Sequence, residues 1–211
     1  MNVARRVIVA LFAVALGTLG ASGAARAKTI ACPAGVDPSG SAAFAPVAMP
    51  PLQACTSRTV HGLATPDPRC TPGAINPSVG LKTLKDPDFR TGCERDHASS
   101  AAQKARTYGW YGIAHPVNNT GANQICELDH LISLELGGAD SLENLWPQCG
   151  PDGVDLADRY FKQKDTVENY LAAMVKAGKI DIGAAQHGIA TNWPQYLPAA
   201  RAWMADKFAR H

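Results

Sequence analysis

Apolar positions change rhythm halfway along the chain. Over residues 156–177, Leu156, Tyr160, Phe161, Val167, Leu171, Met174 and Val175 recur at the spacing of a helix with one buried face, and Gly178 marks its end. Two shorter runs, residues 182–191 and 196–208, predict further helices. Ahead of the long helix, residues 125–136 alternate weakly and stop at Gly137-Gly138, which predicts a strand entering a turn. Residues 144–147 predict the returning strand. Residues 28–118 behave differently: Pro, Gly, Ala and Ser break any sustained period and predict loops and short turns. One helix is expected there, over residues 99–108, with Gly109 as its stop.

The first residues form a separate segment. Arg5 and Arg6 precede an apolar, uncharged run over residues 7–19, and Ala25-Arg26-Ala27 offers small residues for cleavage before Lys28. This reads as a secretory signal over residues 1–27, because the run falls short of the ~20 residues a bilayer span needs. All six cysteines (Cys32, Cys55, Cys70, Cys93, Cys126 and Cys149) follow it, an even number that reads as disulfides in an exported chain. A zinc site is disfavoured, since no Cys-x-x-Cys pair occurs. The expected location is secreted or periplasmic, free of the membrane once the signal is cut. Of 20 Lys and Arg, Arg5, Arg6 and Arg26 leave with that segment while all 18 Asp and Glu stay, so the remainder carries about −1. Such a balance suits a local basic patch better than a duplex-gripping surface.

Chemistry enters with Asp129-His130. A neutral imidazole, with an unperturbed pKa of ~6.5, can take a proton from water near neutral pH. A carboxylate can hold a divalent ion that neutralises a phosphate. Neighbours on a regular strand face opposite ways, so joint use in one cleft calls for a local irregularity. The run Glu127-Leu128-Asp129-His130-Leu131-Ile132-Ser133-Leu134-Glu135-Leu136-Gly137-Gly138, followed by Asn144-Leu145-Trp146-Pro147-Gln148, resembles the HNH endonuclease signature. The resemblance implies a ββα-metal core, with His130 as general base, Asp129 as metal ligand and Asn144 as the amide that ties the hairpin loop and orients the base.

A His or Asn expected soon after the middle Asn is missing. Lys164-Asp165 with Glu168 instead resembles a secreted branch of the family, which implies Asp165 first, and Glu168 as ligand or orienting partner, for completing the metal site. Cys70-Thr71-Pro72-Gly73-Ala74, Lys104 with Tyr108-Gly109, and Ala185-Gln186, Ile189-Ala190 and Trp193 look like features of the same branch; the stretch from Cys93 to His97 departs from it. Cys126 and Cys149 bracket the hairpin, and a bond across it is the favoured pairing. Trp146 reads as core rather than a base-stacking platform. Lys104, Arg106 and Lys164 are candidate phosphate contacts, and the remaining histidines are assigned no role.

The expected fold is α+β: a loop-rich, disulfide-tied N-terminal part over residues 28–118, then a ββα-metal (HNH) core with trailing helices over residues 119–211. The expected activity is metal-dependent endonucleolytic hydrolysis of phosphodiesters, on DNA before RNA, by a monomer. Oxygen ligands favour Mg²⁺ or Mn²⁺, with Zn²⁺ or Ni²⁺ as the other choices. The alternative is a catalytically inactive secreted or envelope-associated binding protein on the same scaffold.

Overall fold

The computed structural model describes residues 31–99 and 101–210, and the signal segment expected over residues 1–27 lies outside them. The fold is α+β. Among the described residues three antiparallel pairs form the sheets: β1 (Ala42–Ala43) with β4 (Ala74–Ile75), β2 (Arg58–Val60) with β3 (Leu63–Thr65), and β5 (Cys126–His130) with β6 (Leu145–Cys149). The helices are α1 (Leu81–Leu84), α2 (Ala101–Trp110), α3 (Tyr160–Lys176), α4 (Ile182–Asn192) and α5 (Leu197–Phe208).

The β5–β6 hairpin separates two apolar clusters. Ile132 and Leu136 pack with Val167, Leu171, Val175, Ile189 and Trp193 from α3, α4 and the turn that follows, while Leu131 and Trp146 pack with Trp110, Tyr111 and the Cys55–Cys70 pair. Leu131 and Ile132 are adjacent, so the chain leaving β5 is anchored on both sides at once. Trp146 is wholly buried, as its core reading requires. The N-terminal segments share these cores: Leu63 joins the first, and Trp193 Nε1 donates to the Ala64 carbonyl at 3.0 Å.

Three disulfides hold the described residues, Cys32–Cys93, Cys55–Cys70 and Cys126–Cys149, and no cysteine among them is free. The last joins a directly opposed ladder pair at the far end of the hairpin from His130. Such bonds suit an oxidising extracellular or periplasmic compartment. No helix among the described residues is long and apolar enough to cross a membrane.

Several boundaries differ from the sequence pattern, each for a local reason. β5 stops at His130 instead of running to residue 136, because the Ile132 backbone is captured by a side chain and Ser133 caps a 3-10 turn over Leu134–Leu136, its Oγ accepting from the Glu135 N–H at 3.1 Å. β6 continues through Pro147 to Cys149; a two-stranded sheet has edges on both sides and tolerates the missing donor. α2 passes through Gly109, which lets the Gln53 segment approach (Gln53 N–H to Gly109 carbonyl, 2.8 Å), and the chain turns only at Gly112, φ 65°. The long helix begins at Tyr160, after a separate 3-10 turn over Leu156–Asp158.

Candidate active site

The loop between β5 and β6 is built around Asn144, which is wholly buried. Its Nδ2 donates to the carbonyls of Ile132 and Ala139, both at 2.9 Å, and its Oδ1 accepts the Ile132 N–H at 2.9 Å and, more weakly, the Ala74 N–H at 3.4 Å. One amide thus clasps the start of the loop, its far side and the passing strand β4. Gly138 has no alternative here, since a Cβ on it would lie 1.9 Å from the Ile132 carbonyl oxygen. Gly137 adopts φ 74° and packs on the Val79 carbonyl. From α4, Gln186 Nε2 donates to the Leu136 carbonyl at 2.8 Å.

This loop delivers Asp140 to His130. Asp140 Oδ1 lies 2.9 Å from His130 Nε2, while Oδ2 accepts from Lys104 Nζ at 2.5 Å and from the Asp96 N–H at 2.8 Å. Burial works to raise the Asp140 carboxyl, but the bonds from His130 and Lys104 outweigh it and hold Asp140 well below the usual carboxylate range. An ionised Asp140 can only accept, so Nε2 carries the ring proton and Nδ1 is left as a free base. Burial lowers the His130 pKa, with Asp140 opposing, which keeps the imidazole neutral near pH 7.

His130 borders a cleft of about 170 Å³ whose wall also includes Glu127, Asp129, Asp165, Glu168, Glu135 and Arg95. No bulge was needed to bring Asp129 and His130 together. The ladder is unbroken (Asp129 opposite Trp146, His130 opposite Leu145), and the cleft lies across the strand end, where it reaches both. Glu127 and Asp129 are two residues apart and share a strand face. Beneath them lies Lys164 of α3, wholly buried, with its Nζ 2.8 Å from Asp129 Oδ2, 2.7 Å from the His130 carbonyl, and hydrogen-bonded to Glu168 Oε1. Trp146 Nε1 also donates to Asp129 Oδ2, at 2.9 Å. Burial works against the Lys164 ammonium, but Asp129 and Glu168 overcome it and raise its pKa. The carboxyls are shifted upward by burial first: Glu168 then feels Asp129, Asp129 feels Glu127, and Glu127 feels Asp165 and Glu168, with Lys164 opposing in each case.

Among the described residues no three His, Cys, Asp or Glu side chains form a ready metal cage. The donor set nevertheless suits one kind of ion. His130 is the only histidine on the cleft wall and its Nε2 is engaged, every cysteine among the described residues is in a disulfide, and the remaining charged donors are carboxylate oxygens, of which burial pushes those of Glu127, Asp129 and Glu168 toward the neutral form. A hard cation that keeps most of its water and binds one or two carboxylates matches that supply.

The sequence-derived residues are placed unequally. Asp129, His130 and Glu168 border the cleft, and Asn144 lies outside its wall, holding the loop that follows His130. Asp165 also borders it, but is about one-third exposed and paired with Lys162 at 2.7 Å, whereas Glu168 shares an ammonium with Asp129; Glu168 is therefore better placed beside Asp129. Lys164, read as a surface phosphate contact, is instead an internal counter-ion, and Lys104 is engaged by Asp140. Sequence reasoning missed Asp140, Glu127 and Arg95. Glu127 had a signal, its two-residue spacing from Asp129; Asp140 and Arg95 had none short of the tertiary fold. No family model, curated protein or solved structure matches the chain.

Proposed function

We propose that this protein is an exported, metal-assisted endonuclease with a ββα-metal core of the HNH kind, formed by β5, β6 and α3. The observation that carries the reading is His130: a neutral imidazole fixed by an ionised carboxylate, its second nitrogen free, at the edge of a cleft walled by carboxylates. Asp140 holds the ring through Nε2, so Nδ1 can take the proton of the attacking water. Lys104 and the Asp96 N–H keep Asp140 in place, and Asn144 keeps the loop that presents it. Asp129 and Glu168 would hold a hydrated divalent ion, Mg²⁺ or Mn²⁺, with Glu127 and Asp165 within the same wall. When bound, the ion supplies charge neutralisation on the phosphate and the departing oxygen. Lys164 keeps Asp129 and Glu168 close together despite their repulsion.

Several of the dispersed segments that resemble the secreted branch meet at this hairpin and its loop, which supports the reading further. Gly73 packs against Ile132 and Ala190, Thr71 Oγ1 reaches the Leu145 carbonyl at 3.3 Å, and Lys104 holds Asp140. The three disulfides agree with export. One observation favours the inactive alternative: the Lys164 ammonium already satisfies one oxygen of each would-be ligand. Incubating the purified protein with single- and double-stranded DNA and RNA, with Mg²⁺ or Mn²⁺ and with EDTA, separates the two. Metal-dependent cleavage of any substrate supports the nuclease; binding without cleavage in every metal supports the inactive protein.

A further inference from the structure

The cleft beside His130 does not end at its own wall. A second cavity, of about 220 Å³, is lined by Phe89, Arg90, Thr91, Glu135 and Lys176, and it shares Thr91 and Glu135 with the first. The two form one groove crossing the 3-10 turn Thr91–Glu94, with Arg95 at the catalytic end and Arg90 and Lys176 at the other. Arg90 and Arg95 flank that turn, roughly 10 Å apart at ~2 Å rise per residue.

The cations along this groove are unspent. Arg95 is exposed and makes no ion pair among the described residues, yet its charge is felt at His130. Lys176, exposed in the last turn of α3, likewise has no acidic partner there. Arg90 uses only Nη1, on the carbonyls of Pro87 and Phe89 at 2.6 Å each, which fixes the guanidinium and leaves its other edge open. The turn that carries the arginines is itself fastened, by the Cys32–Cys93 disulfide on one side and by the Asp96 N–H bond to Asp140 on the other. Asp140 is also the anchor of His130, so the cations and the base are held in one frame. Glu135, midway along the groove, opposes them, as do Glu127, Asp129, Asp165 and Glu168 at the catalytic end.

We infer that this groove is a track for a single polynucleotide strand: Arg95 faces the phosphate at the cleft, and Arg90 with Lys176 takes a flanking phosphate beyond Glu135. The inference rests on the nuclease reading for its choice of polyanion and deepens it, assigning a chain-like substrate over an isolated phosphodiester. Paired cations at an interval along a groove recognise a repeating phosphate backbone and carry no base specificity.

Binding without turnover tests the track separately from catalysis. Fluorescence anisotropy of a labelled 12-nucleotide single-stranded DNA, in EDTA, would be titrated with the protein carrying its disulfides. Lys176→Ala should weaken binding about three- to tenfold and lower the slope of log K against log salt by ~0.7, the loss of one phosphate contact. Arg90→Gln should do the same, and Glu135→Gln should tighten binding. A dinucleotide should bind at least tenfold more weakly than the 12-mer. The inference is overturned if the 12-mer and dinucleotide bind alike, or if Lys176→Ala and Glu135→Gln both leave affinity and salt slope unchanged. A protein that binds as described but cleaves nothing would retain the track and lose the nuclease.

Discussion

Replacing Asp140 with Asn removes one charge and almost no volume from the centre of the His130 array. The carboxylate accepts from His130 Nε2 (2.9 Å), Lys104 Nζ (2.5 Å) and the Asp96 N–H (2.8 Å). Hydrogen bonds to charged groups contribute ~1.5–3 kcal/mol each. Asn keeps one acceptor oxygen, and the Lys104 side chain, 18 % exposed, can turn partly to water, so a net loss of about 2–4 kcal/mol is expected rather than the sum. The effect on chemistry is more specific. An amide can present N–H to the ring, which favours the tautomer with its proton on Nδ1, the nitrogen needed as base. Turnover should fall by at least ~10²-fold, within the range that general-base catalysis supplies. The pH dependence has a definite sign: burial lowers the His130 pKa and Asp140 is the main group raising it, so without that carboxylate burial is opposed only by the weaker pull of Glu168. The acid limb of kcat/KM, which reports a base that must be neutral, should move to lower pH. Urea denaturation gives the stability change, and a pH–rate profile on a phosphodiester substrate gives the rest. Turnover within threefold of wild type, with the acid limb unmoved or moved upward, would refute Asp140 as the residue that positions the base.

Asn144→Ala abandons four hydrogen bonds in a wholly buried loop and should cost about 3–5 kcal/mol by urea denaturation; a loss under 1 kcal/mol would contradict its role as the clasp. Lys164→Met strands Asp129 and Glu168 without their counter-ion, at a cost of about 3–5 kcal/mol. Millimolar Mn²⁺ should then raise the melting temperature of this variant more than that of wild type, and equal shifts would argue against Lys164 as the internal cation. Glu94 is wholly buried with neither oxygen hydrogen-bonded among the described residues, and burial, aided by Asp140, pushes its pKa up to about 9. Its stabilising contribution is full below the ordinary value near 4.5 and is lost as pH rises toward 9, because only the folded state keeps the proton in that window. Stability of wild type relative to Glu94→Gln should therefore fall with pH by up to about 1.4 kcal/mol per unit; parallel stability–pH curves would contradict this.

Much of the frame could be read from the chain because its signals are local. The spacing of Val167, Leu171 and Val175 specifies α3, Gly137-Gly138 specifies the turn, and the even cysteine count specifies disulfides. The same spacing also places Lys164 on the buried stripe, three residues after Phe161 and three before Val167, so its burial was legible in the pattern even though its charge suggested a surface. Asp140 was not legible. It reaches His130 only because Asn144, Gly138 and β4 fold the loop back, and that closure depends on residues 70 positions apart, Ala74 and Asn144. Arg95 is placed by the Cys32–Cys93 disulfide, a pairing the sequence left open. Strand and helix ends shifted where a side chain captured the backbone, as Asn144 does at Ile132, and periodicity carries no information about such capture.

The most direct measurement compares wild type with His130→Ala on supercoiled plasmid, both shown to be folded by circular dichroism and thermal melting. Wild type should convert supercoiled to nicked DNA with Mg²⁺ or Mn²⁺ and stop in EDTA, while His130→Ala should be slower by at least ~10²-fold under the same conditions. Nicking by His130→Ala at the wild-type rate, or no nicking by the wild-type protein with either metal, would contradict a metal-assisted nuclease that uses His130 as its base.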